Sequence, residues 1–322
     1  MTRTLSIGDR LPVFLAPMAG YSDFPFRKIA FELDLPYAVT EMVSAKALYY
    51  DSQRTLEISK SVGRTGIQLF GHEPEAFQIA IERYLNPRED FLWIDLNFGC
   101  PAPKIFKNKD GSALLEDLDT LAAIIKTCKK YSNKPVSAKM RLGVADSSNA
   151  IEIAKRIEDA GADFLTVHGR TREMHYTGQA DWEKIFEIRD KLNIPVIGNG
   201  DIDSFDRAVE LLKSDDIDGI SIGRFAIGNP FIFADIHNYF SPDKINYDKY
   251  DIIKKHFKYM TEEFSERVAL NDFKKHLIKY LNNRPEATKI RKSLSEINSI
   301  DKMNETIDRL FKNIEKEVRT ND

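Results

Sequence analysis

Cysteine is nearly missing from this chain, which holds two, Cys100 and Cys128. A disulfide-stapled scaffold is thereby excluded, and the pair lacks metal-ligand spacing, so no metal site is expected. Long apolar runs are missing too: none approaches the ~18 residues of a membrane span. The opening MTRTLSIGDRLP lacks the apolar core of a secretory signal. With 16 Gly and 13 Pro, the composition does not suggest a low-complexity or fibrous chain. An excess of one charge is also absent, since 47 Lys plus Arg face 50 Asp plus Glu, a net −3. Taken whole, the chain carries no signature of a polyanion binder. A cytoplasmic enzyme is expected, away from membranes, of one large and one smaller domain, with monomer as the working assumption.

The charge is unevenly spread. Residues 241–322 hold 18 basic and 15 acidic side chains, +3, which leaves −6 for residues 1–240. Between Lys274 and Lys292 stand seven basic residues, among them Lys274, Lys275, Lys289 and Arg291, against one acid, Glu286. Such a cluster is either a solvated helix face or a local footprint for nucleic acid.

Short β-rich runs begin at Val13, Tyr37, Thr65, Phe91, Val136, Phe164, Pro195 and Asp218. Helical patterns such as DLDTLAAIIKTCKKY and NAIEIAKRIEDAGA separate them. Strands alternating with helices mean βαβ units and a parallel sheet. Eight units of similar length fit a closed (β/α)8 TIM barrel, with a doubly wound open sheet as the competing arrangement. The interval after Phe91 is the longest and contains the Cys100 loop; a long βα loop on a barrel usually serves the active site. Past about residue 241 strand signals stop and helical periodicity takes over. The expected division is a catalytic barrel, 1–240, and an all-helical domain, 241–322.

A barrel brings the carboxyl ends of its strands to one rim. Here those ends carry Pro17-Met18-Ala19, Glu41, Gln68, Asn97 with Cys100, Lys139 with Arg141, His168 with Arg170, Asn199-Gly200-Asp201, and Gly223-Arg224. The last two groups precede a helix opening at GNPFIF, a combination that favours phosphate over a plain turn. Lys139 lies within an apolar strand, where an ammonium needs an acceptor or an anion. His168 is either a ligand contact or a satisfied core histidine. Gln68 offers both donor and acceptor to a ring imide. Together these residues describe a planar polar ligand with a phosphate tail. Cys100, in a loop beside Lys104, Lys107 and Lys109, is either a neutral proton donor or a thiolate nucleophile. Cys128, on a helix, reads as packing.

The stretch LNFGCPAPKIFKNKDGSALL resembles the signature of the tRNA-dihydrouridine synthases. So do APMAGYSDFPFR, EMVSAKAL, GIQLFG, KMRLG, VHGRTREMHYTGQADW, VIGNGDI and IGRFAIGNPFIF, in order along the chain. The VHGRTR…YTGQADW segment looks most like the bacterial B-type branch. The resemblance implies FMN, lined by Pro17, Met18 and Ala19 and bonded at its pyrimidine edge by Gln68. It places Lys139 near flavin N1/C2 and His168 beside the ring, and gives the ribityl phosphate to Asn199, Gly200, Asp201, Gly223 and Arg224. It implies hydride addition to uracil C6 from flavin N5 and a proton from Cys100 to C5, with NADPH as reductant. Asn97 and Arg141 become candidates for touching uracil or a flavin edge. Lys104, Lys107, Lys109 and the 274–292 cluster become candidates for tRNA phosphates, offsetting the cost of unstacking the target base. Phe225 stands where relatives commonly carry glycine, and NNRP where they often carry Lys-Gly.

Two other classes compete. A metabolic flavin barrel acting on a free pyrimidine, like the dihydroorotate and dihydropyrimidine dehydrogenases, would need neither the lysine loop nor the basic tail. A non-catalytic RNA-binding module would not need Cys100.

Overall fold

The computed structural model describes residues 3–281 and 294–312. The eight apolar runs all become strands, one of them in two pieces. They are β1 (Val13–Leu15), β2 (Tyr37–Val39) with its two-residue continuation β3 (Val43–Ser44), β4 (Thr65–Phe70) and β5 (Trp93–Phe98). β6 (Val136–Arg141), β7 (Phe164–His168), β8 (Val196–Asn199) and β9 (Gly219–Ile222) complete the set. Every pairing is parallel, and β9 pairs with β1 while β2 pairs with both β1 and β4. The sheet therefore closes into an eight-stranded TIM barrel, and the open-sheet arrangement is excluded.

Alternation along each strand sorts its side chains between the lumen and the surrounding helices. At the amino-terminal end the lumen is filled by aromatics: Phe14 stacks on Tyr37 with ring centroids 5.0 Å apart, and Trp93 sits edge-on to Phe14 at 6.0 Å. Gly66 on the next strand is forced by that indole, because a Cβ there would lie 2.2 Å from Trp93 Cε2. Two residues further along β5 the pattern changes to Asp95 and then Asn97, both buried. The lumen is thus an aromatic floor beneath polar upper layers.

The intervening helices form for local reasons. Helix Leu118–Tyr131 starts where the Asp117 side chain accepts from Thr120 N and buries Leu121, Ile124, Ile125 and Cys128. Helix Ala150–Asp159 turns Ile153, Ala154 and Ile157 inward.

The chain groups into two compact units, Met1–Ser22 with Pro36–Gly223, and Asp23–Leu35 with Arg224–Asp322. The first is the barrel. The second is helical, with helices Phe24–Glu32, Ile232–Phe240, Lys249–Glu263, Glu266–Tyr280 and Ile300–Phe311. The boundary expected near 241 follows the end of strand patterning, whereas these units follow packing. Ile29, Leu33, Phe231 and Ala234 share one apolar cluster with Phe257, Phe273 and Met303, so two segments N-terminal to 241 group with the helical unit.

Candidate active site

At the carboxyl ends of β4, β5 and β6, the register sets Gln68 beside Asp95, Asp95 beside Ser137, and Asn97 beside Lys139. Neighbouring partners on parallel strands point to the same side, so these side chains meet. Asp95 Oδ2 accepts from Gln68 Nε2 at 2.7 Å, and its Oδ1 accepts from Ser137 Oγ at 2.5 Å. Gln68 Oε1 accepts from Asn97 Nδ2 at 2.8 Å. Asn97 Oδ1 in turn accepts from Gly99 N at 3.1 Å and Cys100 N at 2.9 Å. Asn97 is therefore the hook that holds the turn carrying the thiol.

That turn is closed from its far side as well. Ser112 N and Oγ both donate to Cys100 O, at 3.3 and 2.8 Å. Arg141 is buried and commits its guanidinium to carbonyls: Nε to Gly99 O at 2.9 Å, Nη1 to Thr171 O at 2.8 Å and His175 O at 2.9 Å. It thereby ties the Cys100 turn to the loop after β7, where the exposed Tyr176 ring lies 5.6 Å from the guanidinium carbon.

Cys100 is half-buried, and burial pushes its thiol up from the usual cysteine range. The Ala102 backbone N–H and Arg141 pull the other way, and Asp110 adds to the rise. A thiol raised in this way stays protonated near neutrality, which is the state a proton donor needs. The cation that acts on it is Arg141, not the loop lysines. Lys104, Lys107 and Lys109 are all exposed, on or just beyond the short helix Pro103–Lys107.

On the other side of Asn97, Lys139 sits at the mouth of the lumen with Nζ donating to Asn199 Oδ1 at 3.1 Å. Burial, reinforced by Arg141, lowers its ammonium to about 8, against the opposing pull of Asp95. Asn199 uses its amide to bond Ser221 O at 2.7 Å. His168, buried, lies with Nε2 3.4 Å from Arg170 Nη1. The Asp201 carboxylate is engaged by Arg170 Nη2 at 2.7 and 2.6 Å and by Ala180 N at 2.7 Å, so it organises the 177–180 loop. Gly200 is fixed by packing, since a Cβ would come within 2.7 Å of Ala180 Cβ. Gly223 is different: a Cβ there would meet only Ala16 and Met18, at ordinary distances of 3.7 and 3.8 Å. The protein's own packing thus gives no reason for glycine at 223.

Pro17, Met18 and Ala19 form a turn after β1, with Ser22 N and Tyr21 N donating to Met18 O. Arg224 opens a short 3-10 turn directly after β9 and is exposed. On helix Glu266–Tyr280, Lys275 is paired with Asp272 at 2.5 Å, and Lys274 is half-buried. Lys289 and Arg291 lie outside the described residues.

Sequence reasoning passed over Asp95, Ser137 and His72. Asp95 carried the same signal that singled out Lys139, a charge inside an apolar strand, and stands two residues before Asn97. His72 gave only the cue of lying just past β4; its Nδ1 is 2.7 Å from Asp110 Oδ1, on the cysteine loop.

Among the described residues one group also has metal-ligand composition: Asp23, His256 and His276, whose ligand atoms lie within 4.8 Å of one another. Asp23 Oδ1 is already the cap of helix Phe24–Glu32, accepting from Phe26 N at 2.9 Å. The cluster is embedded among Phe26 and Phe273.

The model of the family described as "Dihydrouridine synthase (Dus)" matches residues 14–316 of this chain. The chain belongs to the dihydrouridine synthase family. A probable tRNA-dihydrouridine synthase of Rickettsia conorii is 34% identical over 296 residues, covering 89% of either chain. One from Helicobacter pylori J99 is 35% identical over 304 residues, covering 93% of this chain and 92% of its own. The tRNA-dihydrouridine synthase B of Xanthomonas campestris is 34% identical over 289 residues, covering 87% and 86%. The enzyme class that the motifs implied, a tRNA-dihydrouridine synthase and hence a flavin oxidoreductase, is the one these matches support. Among solved structures, histamine dehydrogenase from Rhizobium sp. 4-9 superposes with TM-score 0.57 at 15% identity, over 77% of this chain and 49% of that one. A 2-naphthoyl-CoA reductase gives 0.56 at 12%, over 73% and 51%. At those identities the likeness concerns the barrel alone.

Proposed function

We propose that this protein reduces the C5=C6 bond of specific uridines in tRNA to 5,6-dihydrouridine, with FMN as its flavin and NADPH as the source of electrons. The observation that carries the mechanism is the placing of Cys100 at the rim by Asn97, whose neighbour on the next strand is Lys139. FMN, when bound, would supply the hydride that uracil accepts at C6. Negative charge then develops on C5 and O4, and Cys100 Sγ–H delivers the proton to C5. A neutral acid suits that step, and burial keeps this thiol neutral.

The residues fit an anionic ligand of this kind. The Lys139 ammonium, in a desolvating site, bonds the neutral amide oxygen of Asn199, and an anionic ring or phosphate would complete its surroundings. Pro17, Met18, Ala19, Gln68, His168, Asn199, Gly200, Gly223 and Arg224 would hold the flavin with it. Gly223, which packing does not require, leaves backbone open to close approach. Asp201, spent on Arg170, would contribute by shaping the loop and not by its carboxylate. Asn97 would meet the substrate edge. Arg141 would act through the carbonyls it ties together.

Residues from 241 onward would take the tRNA, with Lys274, Lys275, Lys289 and Arg291, and Lys104, Lys107 and Lys109 from the barrel loop, as phosphate contacts. No described helix is long and apolar enough to cross a membrane. A tRNA substrate would place the enzyme in the cytoplasm.

Mapping dihydrouridine in tRNA from cells with and without this gene tests the reading. Loss of the modification at one or more positions is expected on deletion, and an unchanged map would overturn it. The purified protein should also be yellow, and failure to take up FMN would contradict the cofactor.

A further inference from the structure

The Cys100 turn hangs on a chain of hydrogen bonds whose direction is fixed at both ends. The N–H groups of Gly99 and Cys100 can only donate, so Asn97 must face them with Oδ1. Its Nδ2 then faces Gln68 Oε1, and Gln68 Nε2 is left to face Asp95. At that end stands a carboxyl oxygen ready to accept. The two ends therefore specify the same orientation for each amide, and the acceptor at Asp95 secures the Gln68 end. Replace that acceptor with an apolar side chain and Gln68 Nε2 loses its partner, so the Gln68 amide is held from the Asn97 side alone and Asn97 Nδ2 rests on a less firmly placed acceptor.

Resting on the reading of Cys100 as proton donor, we infer that Asp95 is a positioning residue. Its carboxylate anchors the Asp95–Gln68–Asn97 relay that fixes the turn presenting the thiol to the substrate. Asp95 is buried, at 2% exposure, with one oxygen on Gln68. Its second oxygen takes the Ser137 hydroxyl, which pins the carboxyl plane. Charge is secondary in this arrangement. An asparagine at 95 could still accept from Gln68 with Oδ1 while its amide donates to Ser137 Oγ, because a hydroxyl can reverse its role.

The test compares Asp95→Asn, Asp95→Ala, Asn97→Ala and the Asp95→Ala/Asn97→Ala double variant in the flavin-loaded protein. Two readouts are taken: kcat and KM on tRNA, and the rate at which iodoacetamide alkylates Cys100 across pH. Cys128 is fully buried and does not compete for the reagent. Asp95→Ala is expected to lose ~10- to 100-fold in kcat with KM for tRNA nearly unchanged, the scale of a small misplacement of a reacting group. Its Cys100 alkylation profile should differ from the parent's. Asp95→Asn should retain kcat within about threefold and keep the parent alkylation profile. The double variant should be no worse than Asn97→Ala alone, because both changes cut one relay.

An Asp95→Asn protein as impaired as Asp95→Ala would overturn the inference, as would losses that multiply in the double variant. If Asp95→Ala does not fold, Asp95→Asn decides alone: parent-like kcat and alkylation support the relay, and loss of either contradicts it. Cys100→Ala separates this inference from the reading beneath it. Full turnover by that variant would remove the acid role, while the alkylation profiles would still decide whether Asp95 positions the thiol.

Discussion

Two of the groups of buried polar side chains among the described residues are built on opposite terms. In the barrel, Asp95, Gln68, Asn97 and Ser137 form a network in which two neutral amides link a carboxylate, also bonded by a hydroxyl, to backbone N–H groups. In the helical unit, His256 and His276 meet edge to face at 4.7 Å, with Asp23 Oδ2 4.0 Å from His276 Nε2. His256 Nδ1 meets Tyr280 OH at 3.0 Å, while its Nε2 has no hydrogen-bond partner among the described residues. The first network specifies geometry. The second keeps titratable groups in a state that water would not favour at low pH. Burial in the barrel is used to aim a side chain, whereas burial in the helical unit creates a sensitivity to acid.

The comparison can be broken most severely at Asn97. Asn97→Leu would leave the N–H groups of Gly99 and Cys100 and the Gln68 carbonyl without their partner. An unsatisfied group costs ~1–3 kcal/mol where it is buried and less where water reaches it, as at the half-buried Gly99 and Cys100. A loss of about 2–4 kcal/mol in unfolding free energy is expected, together with a fall in kcat, measured by denaturant titration and single-turnover assay.

Acid should act on the other cluster. Burial holds His256 well below its ordinary range and His276 down to about 3. The unfolded chain takes up protons near pH ~6.5, so it binds more of them than the folded one between there and about 3. Stability is therefore full above that window and is lost as pH falls through it, by up to ~1.4 kcal/mol per pH unit for each histidine. Protection factors for hydrogen exchange in Lys249–Glu263 and Glu266–Tyr280, taken relative to the intrinsic rate at each pH, should fall on acidification, and His276→Gln should flatten the response. Protection factors that do not change with pH would refute it.

In the barrel the corresponding titration is alkaline. Lys139, lowered to about 8, should hold an anionic flavin tightly below that pH and release it as pH rises through it. Lys139→Met should abolish this dependence, as followed by flavin fluorescence. Tyr280→Phe gives the smallest effect, ~0.5–1.5 kcal/mol, through loss of the hydroxyl at His256 Nδ1.

Much of this was legible beforehand, though unevenly. The eight strands could be read because each is a short apolar run bounded by turn residues, and their ends named Cys100, Asn97, Gln68 and Lys139 without coordinates. Asp95 escaped because FLWIDLNF reads as one buried run, and only the register with Gln68 and Ser137 shows where a carboxylate in it finds donors. The loop lysines were credited with the field at the thiol on proximity in sequence. The backbone turns them outward, and Arg141, two strand residues beyond Lys139, occupies that place. The His256–His276 contact joins positions twenty residues apart on separate helices, and helical periodicity alone does not bring two helices together.

The most direct measurement is single-turnover reduction of an unmodified tRNA by the prereduced Cys100→Ala protein, scored for dihydrouridine. Retained flavin absorbance with product formation slowed ~100-fold or more is expected when a positioned general acid is removed. Parent-like conversion by that variant would show that the proton comes from elsewhere.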